Sequence, residues 1–159
     1  MKVSDGKIRE IDHLVVHPNG RPLNENMARV RPGLIQPLGP EERTQPSGHA
    51  SIADSYYEAI VQDDGTLCPF AEESQRRENG SITANDQTQT PEEAAQDDFS
   101  VFRKMKCGEQ LSTGVMSYIT DINRRRFIAV DEEMGLVFVY SIFVHSGEPK
   151  VMQITMSPG

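Results

Sequence analysis

The sequence has no apolar run approaching the roughly 18 residues that a membrane-spanning helix needs, so none is expected. Its polar N-terminal residues form no apolar core of a signal peptide, and a cytoplasmic chain is expected. Only two cysteines occur, Cys68 and Cys107, and their spacing fits no metal-ligand pattern. A reduced thiol pair and a disulfide both remain open. There is no glycine-rich phosphate loop, no G-x-S-x-G elbow and no Cys–His dyad signature. His13, His17 and His49 are scattered, so neither a metal nor any other cofactor is expected.

Basic residues are also short. The 16 Lys and Arg stand against 24 Asp and Glu, a net charge of -8. Residues 1–40 carry six basic and four acidic residues, net +2, whereas residues 41–159 carry ten and twenty, net -10. The acidic part would repel nucleic acid and anionic membranes. The one dense basic cluster, Arg124-Arg125-Arg126, is short and flanked by acids, and reads as a strand end paired with carboxylates. With 36% hydrophobic residues, ten Pro and twelve Gly, the 159-residue chain is long enough for one domain with a compact core and much loop.

What is present centres on residues 124–145. β-branched and aromatic residues fill two arms on either side of the break Asp131–Gly135, the pattern of a hairpin. The second arm, Leu136 to His145, is almost wholly apolar, which predicts cover on both faces. The earlier helices are expected to pack on this hairpin as the centre of a curved antiparallel sheet.

Ahead of it, Asp5-Gly6 between alternating runs predicts a hairpin within residues 2–17. Residues 18–46 hold six prolines and read as an irregular connector. A helix is predicted over Ser47–Gln62, with Ile52, Tyr56, Ala59 and Ile60 on one stripe. Pro69–Glu73 suggests a short second helix, Gln75–Glu78 a strand, and Asn79-Gly80 a turn into Ser81–Thr83. Thr90-Pro91-Glu92-Glu93 is a capping box opening a helix to about Lys106, with Ala95, Phe99, Phe102 and Met105 inward. Val115–Ile122 fits a strand or a helix end, and a last strand is expected over Lys150–Met156.

Three segments in this order carry a resemblance. Ser55-Tyr56-Tyr57-Glu58-Ala59-Ile60, Pro69-Phe70-Ala71-Glu72-Glu73 and Arg76-Arg77-Glu78-Asn79-Gly80 resemble the opening of the nuclear transport factor 2-like (SnoaL-like) superfamily. Arg125–Phe127 and Val130–Phe138 resemble a bacterial and fungal subgroup of it with two modules in tandem. The resemblance implies an α+β, cone-shaped, cystatin-like fold, its curved antiparallel sheet packed on N-terminal helices. It makes 1–17 similar to the closing hairpin of a preceding module, 18–46 a connector, and 47–159 a module lacking its last hairpin. The chain then looks like a fragment whose N-terminal hairpin could fold back on the sheet edge. Sheet-face dimers are common in that superfamily, so a homodimer is possible.

In the ketosteroid isomerase branch of the resembled superfamily, a first-helix tyrosine steadies an enolate oxygen and a strand carboxylate moves the proton. Tyr56 matches that tyrosine. Glu78 matches the carboxylate only with one residue inserted, and a one-residue shift turns a strand side chain to the other face. Arg76 shares the strand face of Glu78; it either anchors a substrate carboxylate or forms a plain ion pair. His145 is either a proton shuttle at the cavity mouth or a half-exposed strand cap. Ile52, Phe70, Phe99, Phe102, Tyr118, Val139 and Phe143 are the expected pocket lining. Two functions follow: a cofactor-independent isomerase, dehydratase or lyase acting on a small hydrophobic carbonyl compound, or a non-catalytic ligand-binding or dimerisation module.

Overall fold

The computed structural model describes residues 2–11, 28–43 and 46–147. Strands β1 (Lys2–Ser4) and β2 (Lys7–Glu10) come first. Helix α1 (Pro46–Val61) is followed by the hairpin β3 (Arg76–Glu78) and β4 (Ser81–Ala84). Three short helices come next, α2 (Pro91–Ala95), α3 (Ser100–Lys104) and α4 (Cys107–Leu111). The long hairpin β5 (Ile119–Asp131) and β6 (Leu136–His145) completes the described part. The class is α+β. Among the described residues the strands form three separate two-stranded antiparallel sheets.

Two of the tight turns follow directly from residue type. Asp5 and Gly6, and likewise Asn79 and Gly80, all have positive φ, the mirror-image turn that Asp-Gly and Asn-Gly pairs favour. Helix α1 ends where Asp63 adopts φ 51°, with Asp64 N–H donating to Ala59 O at 3.1 Å and Asp63 N–H to Ile60 O at 3.4 Å. That double bond caps the last carbonyls in the Schellman manner. Asp64 then caps a 3-10 turn over Gly65–Leu67 by accepting from the Thr66 amide at 2.9 Å.

The core is where α1 meets β5. Ala59, Ile60, Cys68, Leu111, Ile119 and Ile122 are buried together, flanked by Tyr56, Tyr57 and Phe70. Arg125 fixes the helix over the strand: its Nη1 donates to Asp54 at 2.9 Å and Glu58 at 2.6 Å, and its Nε to Ile122 O at 2.6 Å. The guanidinium also stands 5.3 Å over the Tyr57 ring. So Arg125, the middle residue of the arginine cluster, does pair with carboxylates, those of α1.

Several expectations are corrected. Ile52 is exposed; the packed part of the α1 stripe runs from Tyr56. Pro69–Glu73 forms a turn and no helix. The helix expected from Thr90 to Lys106 does have its capping box, but it stops at Ala95. Asp97 Oδ1 accepts from the Phe99 amide at 2.9 Å, turning the chain before α3. Strand β6 is not covered on both faces: Phe138, Ile142 and Val144 are exposed, with Phe138 at 52%. On the other face Phe143 is exposed as well, although its ring meets Tyr57 of α1 edge-on, centroids 6.1 Å apart. The described part of the N-terminal hairpin pairs only with itself and adds no strand to β6. The expected strand Lys150–Met156 lies outside the described residues, as do His13 and His17.

Candidate functional site

Arg76 organises the polar centre of the molecule. It sits on β3 beside the shift in register between Arg76 and Arg77. Its side chain is only 10% exposed, and Nη1 reaches Glu78 Oε1 at 2.8 Å. Its Nη2 donates to Gln110 Oε1, and its Nε is buried without a partner. Gln110 is fully buried; its amide donates to Thr83 O at 2.6 Å and Phe102 O at 3.0 Å. One side chain on α4 therefore holds β4, α3 and the arginine in register.

Tyr56 lies against this arginine and shares a side-chain hydrogen bond with it. Burial pushes its phenol above the ordinary value of 10.0, and the hydrogen-bonded Arg76 cation only partly opposes that. The nearby charge of Glu78 pushes the same way as burial. The phenol is thus protonated at neutral pH and able to donate. Tyr56 also meets the Phe70 ring edge-on, centroids 6.2 Å apart.

Tyr56, Arg76 and Glu78 are therefore brought together, with Arg76 in the middle. Glu78, however, is 55% exposed. It lines an open cavity of about 340 Å³ with Arg76, Ser81, Thr83, Asp97 and Arg103. Ile82, Phe99, Phe102 and Met116 give that cavity its apolar wall. Tyr56 is not part of its lining.

The other expected residues do not join this site. Phe70 lines a second cavity of about 740 Å³ with Cys68 and Cys107. His145 is exposed at the end of β6, where Tyr118 meets it edge-on at 5.2 Å. Neither residue lines either of these cavities. Val139 and Phe143 lie in the β5–β6 register opposite Phe127 and Ile122, away from the cavity lining.

Four residues escape the sequence reading altogether. Besides Gln110, the cavity is braced by Arg103, which reaches Asp86 at 2.8 Å and Asp97 at 3.2 Å. Asp86 is 1% exposed. Burial works to raise its carboxyl, but the Thr88 hydroxyl and amide together with Arg103 hold it below the ordinary 3.8. The polar loop Ala84–Thr90 gave no signal for this, because the partners are 17 residues apart in Asp86 and Arg103. Among the described residues no group of three His, Cys, Asp or Glu could hold a metal ion, and no helix is long and apolar enough to cross a membrane.

No curated protein and no solved structure matches the chain. Residues 42–157 match the family model described as a domain of unknown function, DUF8021. That span takes in α1, the Arg76 site and the long hairpin, and the chain belongs to this family.

Proposed function

We propose that the chain is a small-molecule-binding module of the nuclear transport factor 2-like (SnoaL-like) type, and that its ligand site is the cavity beside Arg76. The observation that carries this reading is the make-up of that cavity: an apolar wall of Ile82, Phe99, Phe102 and Met116 facing a few fixed polar groups on Arg76, Glu78 and Arg103. Binding sites combine a mostly apolar concavity with a small number of oriented polar groups in this way. The ligand class is a small hydrophobic molecule bearing one polar function, such as a carbonyl.

The alternative is a cofactor-independent isomerase, dehydratase or lyase using Tyr56 and Glu78. What favours it is that Arg76 touches both. Against it, a general base works by taking up a proton. Glu78 would have to give up its 2.8 Å pair with Arg76 to do so, in a half-exposed setting. Binding without turnover fits this arrangement better.

A thermal-shift screen of small apolar ketones, esters and aromatics tests the reading, since a ligand of the folded state raises the melting temperature by mass action. The expected result is a set of stabilising compounds whose effect is lost in Phe99→Ala and kept in Glu78→Gln, with no compound consumed. Stabilisation indifferent to Phe99→Ala would remove the cavity from the account. Turnover abolished by Glu78→Gln would favour the enzyme instead.

A further inference from the structure

The larger cavity carries a separate feature. Cys68 and Cys107 are both free thiols, both buried, and both in its lining. They come from different elements, the C-terminal end of the 3-10 turn after α1 and the first residue of α4.

The two segments are in backbone contact. A β-carbon on Gly65 would lie 2.0 Å from Gly108 O. Cys68 is tied back to Gly65 by its amide, which donates to Gly65 O at 3.4 Å, and Cys107 directly precedes Gly108. The two cysteines thus hang from touching chains and line one cavity, and a disulfide between them would bring their α-carbons to roughly 4.4–6.8 Å. Burial pushes both thiols above the ordinary 9.0.

We propose that Cys68 and Cys107 are a dithiol site that closes to an intramolecular disulfide when a small disulfide such as oxidised glutathione reaches the cavity. One cysteine thiolate attacks a glutathione sulfur, and one glutathione leaves. The second cysteine then attacks the protein sulfur of that mixed disulfide and releases the other glutathione. The protein loses two electrons and two protons, which end in the two glutathione thiols. Cys107 gives up its 3.2 Å hydrogen bond to Ser74 O in the process. Because both thiols resist ionisation, the exchange is slow, as suits a bond that clamps the turn to α4.

The folded chain is incubated with oxidised glutathione until a denatured control has fully reacted. It is then quenched in acid, unfolded, alkylated and mapped by mass spectrometry. The expected product is a monomer lighter by two hydrogens, free of alkyl groups, with the Cys68 and Cys107 peptides linked. Its melting temperature is raised, and dithiothreitol reverses the rise. Alkylation of both cysteines, a persistent glutathione adduct, or only disulfide-linked dimers would overturn the proposal.

Discussion

Arg125 shows how much one residue can hold. It donates to two carboxylates on α1 and a carbonyl on β5. Arg125→Ala should lower the unfolding free energy by about 2 kcal/mol, measured by urea denaturation, since charged hydrogen bonds and their orphaned partners cost that much. The same residue sets a pH dependence. Its hydrogen bond to Glu58 is the main reason that carboxyl sits below the ordinary 4.5. A depressed carboxyl contributes stability that is present above its unfolded value and is lost as pH falls through the folded one. Asp86 and Asp97 are depressed as well, while burial raises Asp63, which works the other way. The melting temperature should therefore fall as pH drops below about 4.5, and Arg125→Ala should flatten part of that fall. Melting curves between pH 6 and 3 on both proteins check it. A pair of glycines gives a sharper contrast. A β-carbon at Gly65 would strike Gly108 O at 2.0 Å, whereas one at Gly108 would rest 3.4 Å from Gly65 O. Gly65→Ala should cost about 3 kcal/mol or more by strain at a packed backbone. Gly108→Ala, in ordinary contact within a helix, should be near neutral. Denaturation midpoints of the two variants decide the point.

At the scale of elements, the features legible in the sequence were those fixed by local chemistry. Asp5-Gly6 and Asn79-Gly80 announce their turns because few other residues accept positive φ, and Thr90 announces a helix start because its hydroxyl accepts from the Glu93 amide at 3.2 Å. What followed Thr90 was misread. The apolar spacing of Ala95, Phe99, Phe102 and Met105 continues through the break that Asp97 makes, so periodicity alone cannot see it. The apolar β6 was misread for a similar reason: a strand whose apolar side chains stay partly exposed on both faces looks the same in sequence as one covered twice. Gln110 was invisible because its partners Arg76 and Thr83 lie 34 and 27 residues away. Its removal should be felt across β3, β4 and α3 together. Gln110→Ala should cost about 3 kcal/mol, by leaving buried carbonyls unpaired and a cavity behind. Hydrogen exchange should show faster opening at Thr83 and Phe102 than at the β5–β6 hairpin. Uniform acceleration in all elements would count against this local role.

At the scale of the molecule, the candidate site was half legible. Tyr56 and Glu78 both lie beside Arg76, and Phe99 and Phe102 line a cavity. The pocket is not shared by all of them, however: Arg76 bonds both Tyr56 and Glu78, but only the carboxylate reaches the cavity lining. Sequence order brought these residues near one another; only long-range packing decided which of them reach the cavity. The exposed Phe99 makes the account testable without threatening the fold, since Phe99→Ala should change stability by less than about 0.5 kcal/mol. The most direct measurement is a two-dimensional amide NMR titration of the chain with the best stabilising ketone or ester. Saturable shifts confined to the amides of Arg76, Ser81, Thr83, Phe99 and Phe102, lost in Phe99→Ala, are the predicted result. Shifts centred on Cys68, Phe70 and Cys107, or none at all, would contradict the assignment of the ligand site.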